Sequence, residues 1–309
     1  MSDDPLDVWH TSESFSRTIA RMPLSIDSTA LNDFRACPKR YELRYVRGFV
    51  RREMNPHLIF GSALHRGREV YGLERINGAT HDEAVERGLR ALLRLITDAQ
   101  GRVALGESGE STKRPDTLVQ AYVALCDAFE QDALTTLCLN YAPALELKWT
   151  IASGYLNSRG EPIKLFGTFD RLALSADQML WCIDTKTSKS ETRHDAWSPH
   201  MQVSMYSWAA PRIASRIASH FGGMIIEAVQ VGVSFTRCTR IGPIKRTPEE
   251  LDEWFIGLGN TFESIERCAT RDYWPMHEAS CFGCAYRSVC SANPSARDNI
   301  LSSSFTRMG

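Results

Sequence analysis

The segment Phe166–Ser188, FGTFDRLALSADQMLWCIDTKTS, decides the fold. Its apolar runs lie on both sides of a polar turn at 175–178, which predicts two neighbouring strands over 163–174 and 179–188. Asp170 sits in the first strand. Asp184 and Lys186 lie two residues apart in the second, so they share one face. Carboxylates converging from adjacent strands can hold a hard divalent cation such as Mg²⁺ or Mn²⁺. A lysine on the same face can stabilise a phosphate's negative charge or position a water. Alone, D-x-K is also the pattern that an ordinary surface ion pair leaves.

Outward from this segment, 144–151 (ALELKWTI) alternates like a further strand, and 228–236 (AVQVGVSFT) reads as a fourth. Helices are predicted at 61–77, 81–99, 116–139, about 198–218 and 248–271. A short helix TALNDFRA follows Ser28, placed as its N-cap, and a second, KRYELRYVRGF, follows Pro38. The order of helices, three strands, helix, strand and helix predicts an α/β fold: a mixed central sheet flanked by helices. Residues 1–20 read as frayed, 21–295 as one domain with a helical insert at about 78–140, and 296–309 as a flexible tail.

The 309 residues are 24% charged and 43% hydrophobic, as in ordinary globular chains. No apolar run reaches membrane-span length, and no N-terminal stretch resembles a secretory signal, so a cytoplasmic protein is expected, with no membrane partner. The net charge of -1 argues against bulk electrostatic attraction to nucleic acid but leaves room for a local basic groove. Nine cysteines, an odd number without an export signal, point to free thiols or metal ligands rather than disulfides.

Three of those cysteines form C-x2-C-x5-C, as Cys281, Cys284 and Cys290. A fourth candidate, Cys37, stands at the other end of the chain beside Pro38. Four thiolates suit an iron–sulfur cluster or a structural zinc. Around Cys37, Arg40, Arg44, Arg47 and Arg51 recur at helical spacing, opposite an inward stripe of Phe34, Cys37, Tyr41 and Tyr45. Such a row suits a phosphate backbone, and equally a solvated basic face. His65 lies in GSALHRG, and Gln202 and Tyr206 fall four apart in QVSMYSW.

Taken in order, STALNDFRACPKRYELRYV, GSALHRG, GTFDRLAL, CIDTKTS, QVSMYSW and CFGCAYRSVC resemble the PD-(D/E)XK nuclease superfamily. The nearest branch is the RecB-like exonucleases with an iron–sulfur cluster, which includes AddB-type and CRISPR-associated enzymes. The resemblance implies a restriction-endonuclease-like core, with a clamp of residues 28–46 and 275–292 around the cluster. It implies that His65, Asp170 and Asp184, with the Thr185 carbonyl, bind a catalytic Mg²⁺ or Mn²⁺. Lys186 would then orient the water, and Gln202 and Tyr206 would position the lysine or the DNA strand. Cys37, Cys281, Cys284 and Cys290 match the ligands of a [4Fe–4S] cluster. A metal-dependent exonuclease on single-stranded DNA or DNA ends is expected, in recombination, repair or CRISPR adaptation. No Walker A motif is present, so a stand-alone nuclease, or one awaiting a helicase or recombination partner, is expected. Two other classes stay open: a decayed DNA-binding scaffold, and a zinc-stabilised protein of unrelated role.

Overall fold

The computed structural model describes residues 25–52, 55–97, 103, 105, 112–197, 200–218 and 220–307. The expectations for residues 1–20 and for most of the loop at 101–112 lie outside these residues. In chain order the elements are β1 (Ser25–Ile26), α1 (Ser28–Ala36), α2 (Pro38–Tyr41), a π-helical turn (Glu42–Val46), β2 (Phe49–Arg51), α3 (Pro56–Ile76), α4 (His81–Ile96) and α5 (Pro115–Ala128). Then come β3 (Thr135–Thr136), β4 (Cys138–Leu139), β5 (Ala142–Pro143), β6 (Leu145–Leu156), β7 (Pro162–Leu174), β8 (Met179–Ser188), α6 (Met201–Ile213), β9 (His220–Val231) and β10 (Thr236–Ile244). The chain closes with α7 (Pro248–Thr270), α8 (Arg287–Ser291), α9 (Arg297–Ser304) and β11 (Phe305–Arg307). Among the described residues a seven-stranded mixed sheet has the order β1-β7-β8-β9-β10, with β3 and β6 also on β7. No helix among them is long and apolar enough to cross a membrane.

The chain divides into two compact units, one of residues 1–53, 148–167 and 248–309, the other of residues 54–147 and 168–247. The second unit carries the D-x-K strand. There β8 pairs antiparallel with β7, with Arg171 opposite Ile183, and parallel with β9, with Lys186 opposite Ala228. The parallel pairing needs a crossover, and α6 supplies it. Helices α3, α4 and α5 form the core of this unit with Val229 and Val231 of β9. Thr80 and Glu83 make a capping box that starts α4. At Gly88 of α4 an added Cβ would lie 2.0 Å from the Tyr122 hydroxyl oxygen and 2.6 Å from the Gly67 carbonyl. Only glycine allows α3, α4 and α5 to approach so closely there.

In the first unit α1 is capped by Asp27, not by Ser28: its Oδ1 accepts from the Ala30 amide at 2.7 Å. The expected long helix after Pro38 is also corrected. One α-turn gives way to the π-helical turn, and Arg51 belongs to β2. The arginines therefore do not continue as one helical row. The inward stripe does form: Phe34, Cys37 and Tyr41 are buried, and Tyr41 stacks on Trp274 at 5.8 Å.

Two further expectations fail. The tail is not loose: α9 buries Leu301, and β11 pairs antiparallel with β2, with Phe305 opposite Arg51. These residues join a small core of Leu43, Phe49, Tyr286 and Val289. The strand expected at 228–236 is two strands, β9 and β10. Pro243 and four charged or hydroxyl side chains over 236–240 disguised β10, which ends the strand order, where proline is tolerated.

Candidate active site

The ladder between β7 and β8 closes on the Arg171–Ile183 pair. Asp170 and Asp184 are the next residues, where the strands part. This frees the Thr185 amide, which donates to Asp170 Oδ2 at 2.6 Å. His65, on α3, brings Nδ1 to 3.4 Å from the same carboxylate oxygen and to 3.0 Å from Glu146 Oε1. Ligand atoms of His65, Glu146 and Asp170 all lie within 4.8 Å of one another. They line a small cleft, with Arg68, Arg171 and Glu227 also on its wall.

Glu146 was not singled out in the sequence, where ALELKWTI read only as strand. Its backbone is the signal. Its φ of 45° is a left-handed conformation that non-glycine residues rarely take, held here near the start of β6. Strain of this kind gathers where a side chain must be aimed at a site.

Asp184 is buried at 1% exposure and stands outside that trio. Its Oδ1 accepts from Gln202 Nε2 at 3.0 Å and from Lys186 Nζ at 3.1 Å. Its Oδ2 lies 2.9 Å from the Lys186 ammonium yet receives no hydrogen bond of good geometry. A buried carboxylate oxygen whose ammonium neighbour is poorly aligned keeps acceptor capacity that a second cation can use. The residue set, one imidazole and several carboxylates, has the chemistry of a Mg²⁺ or Mn²⁺ site.

The electrostatics are those of an acidic cradle. Burial disfavours the His65 imidazolium, but Asp170, Glu146 and Asp184 outweigh it and hold its pKa up to about 9. Burial raises Asp170, and Asp184 adds to the rise. Burial likewise disfavours the Lys186 ammonium, but Asp184 and Asp170 prevail, so it stays charged. A lysine held charged is an orienting and charge-stabilising group rather than a base. Tyr206 lies one turn beyond Gln202 and packs edge-on against Phe169 at 4.9 Å. Its hydroxyl donates to the Thr168 carbonyl at 2.7 Å, two residues before Asp170.

The first unit holds the four cysteines. Ser280 Oγ donates to the Ala36 carbonyl at 2.7 Å, and the Lys39 amide donates to the Pro275 carbonyl at 3.1 Å. These bonds tie the segment before Cys281 to the residues on either side of Cys37. Burial, then the neighbouring thiols of Cys284 and Cys37, push the Cys290 thiol up. The arginines nearby are engaged within the unit. Arg40 and Arg44 reach Asp33 at 2.7 and 3.0 Å, Arg47 reaches Asp298 at 2.7 Å, and Arg51 donates to the Ala285 carbonyl at 3.2 Å. They brace this unit's fold, which tempers their reading as a free phosphate-binding row.

Comparison with known proteins adds a family. The family model of the PD-(D/E)XK nuclease superfamily matches residues 26–291. No curated protein matches the chain. Among solved structures, a protein of Eubacterium rectale named as a candidate exonuclease is 12% identical, with TM-score 0.48, over 87% of this chain and 90% of its own. SSO0001 is 14% identical, with TM-score 0.35, over 92% of this chain and 89% of its own. The split hairpin with its D-x-K strand, and the family match over most of the chain, give one conclusion: the chain belongs to the PD-(D/E)XK nuclease superfamily and is a phosphodiester hydrolase.

Proposed function

We propose that this chain is a metal-dependent DNA exonuclease of the RecB-like, iron–sulfur branch, acting on single strands or duplex ends in recombination, repair or CRISPR adaptation. The observation that carries the reading is the convergence of His65, Glu146 and Asp170 beside the Asp184–Lys186 pair at the parting of β7 and β8. His65, Glu146 and Asp170, with Asp184 Oδ2, would hold Mg²⁺ or Mn²⁺; such a cation makes water a better nucleophile and offsets charge on the phosphate. Lys186, anchored on Asp184, presents its ammonium to the attacked phosphate and the incoming water. Gln202 fixes the Asp184 carboxylate, and Tyr206 fixes the backbone at Thr168, so both position the site from α6.

Cys37, Cys281, Cys284 and Cys290 suit a [4Fe–4S] cluster in their donor chemistry. Its role would be to join the first helices to the C-terminal segment, and a helicase partner would feed DNA to the site.

The test is digestion of end-labelled single- and double-stranded DNA by anaerobically purified protein with Mn²⁺, Mg²⁺ or EDTA. A metal-dependent ladder shortening from one end supports the reading. Internal cuts would remove the exonuclease assignment, and no cleavage of any substrate would overturn the reading.

A further inference from the structure

Gly61 sits inside α3, where glycine costs about 1 kcal/mol relative to alanine. Packing does not demand it: a Cβ added there meets no atom within 4 Å. Gly61 lies midway between His57 and His65 at spacing four, so the three share one stripe of the helix. The stripe begins at the exposed first turn and ends at the site. Beside it, Lys113 Nζ lies 4.0 Å from the centre of the Phe60 ring and 3.3 Å from Thr187 Oγ1. Thr187 directly follows Lys186 on β8. Lys189 follows in an exposed turn whose backbone is held by Gln230 Nε2 at 3.3 Å.

The charges here repel one another. Burial, then the charges of Lys113 and Lys189, lowers the pKa of His57. Burial, then the charge of Lys189, brings the Lys113 ammonium down to about 8. The exposed Lys189 beside bare helix backbone at Gly61 is an arrangement that attracts a polyanion.

We propose that the α3 stripe from His57 through Gly61 to His65, flanked by Lys189, is the lane along which the phosphate backbone of a DNA strand reaches the metal site. This rests on the nuclease reading above. The lane starts one to three residues beyond Lys186, roughly 3–10 Å at strand rise, so it takes the phosphates next to the cleaved one. The missing side chain at Gly61 lets the strand lie against the helix, and Lys189 meets it from the β8 side.

The experiment measures binding of a fluorescent single-stranded oligonucleotide to the full chain in EDTA by anisotropy, across salt concentrations. Lys189→Gln is expected to lower the slope of log K against log salt by about 0.7, and affinity about fivefold at 0.1 M salt. Gly61→Ala is expected to weaken binding with the slope retained, while its melting temperature stays at or above that of the parent. Arg90→Gln, on the exposed face of α4, controls for general loss of charge and should bind as the parent does. Parent-like affinity and slope in both Lys189→Gln and Gly61→Ala would overturn the lane. Metal-dependent cleavage by the parent is scored separately, so failure of the lane is distinguishable from failure of the nuclease reading.

Discussion

Metal binding at His65 should be strongly pH-dependent. With its pKa held up to about 9, the ring carries a proton at pH 7 and must release it to ligate. The cost is about 2 pH units, or about 2.7 kcal/mol, so affinity at pH 7 should be about 100-fold below its plateau. The sign is definite. Protons compete with the cation, so affinity climbs about tenfold per unit from pH 7 to about 9 and then flattens. Asp170, raised by burial, steepens the lower end. Calorimetric titration with Mn²⁺ under anaerobic conditions, in buffers of different ionisation enthalpy, reads both the affinity and the protons released. About one proton or more per ion is expected at pH 7. In Glu146→Gln the plateau affinity should fall, because a ligand is lost. The plateau should also begin at lower pH, because the carboxylate that holds the imidazolium is gone. An affinity flat between pH 7 and 9, with no proton release, would refute the reasoning.

Two other perturbations follow from buried charges and from the cysteines. Asp132, 9% exposed, joins Arg171 at 2.6 Å and Arg240 through two bonds of 2.7 and 2.6 Å. Burial would raise its carboxyl, but Arg240 and Arg171 outweigh it and hold the pKa below the ordinary range. Its stabilisation is therefore complete at neutral pH and fades as pH falls below about 4 through the folded-state value. Asp132→Ala should cost about 3 kcal/mol in denaturant unfolding at pH 7, since it takes the carboxylate from Arg171 and leaves Arg240 with Glu227 alone; a loss below about 1 kcal/mol would contradict this. Cys284→Ala should lose iron and sulfide and lower the melting temperature. Full iron content in that variant, or zinc without sulfide in the parent, would remove the cluster assignment.

The sheet hairpin was legible because two apolar runs flank a short polar turn, and the D-x-K spacing alone puts Asp184 and Lys186 on one face. The family likeness was legible because six weak motifs fall in one order along the chain. What escaped was set by tertiary context. Glu146 sits within an unremarkable alternating run, and only its left-handed backbone turns it toward His65. The tail looked loose because its few apolar residues are spaced irregularly, yet Leu301 and Phe305 find a small core that no local pattern announces. The arginine row looked continuous because spacing ignores the π-helical turn and the carboxylates waiting at Asp33 and Asp298. Asp184, expected as a plain ligand, anchors Lys186 and Gln202, contacts that residue type cannot reveal.

The central claim is that Lys186, held charged on Asp184, works with a divalent cation to cut phosphodiesters. The most direct measurement is single-turnover cleavage of end-labelled DNA with Mn²⁺ by the parent and by Lys186→Ala. Circular dichroism checks that both are folded. The account predicts metal-dependent cleavage by the parent and a loss of at least about 100-fold in the variant, the scale of one charge-stabilising group in a dry site. Equal rates in the two proteins, or cleavage that persists in EDTA, would contradict it.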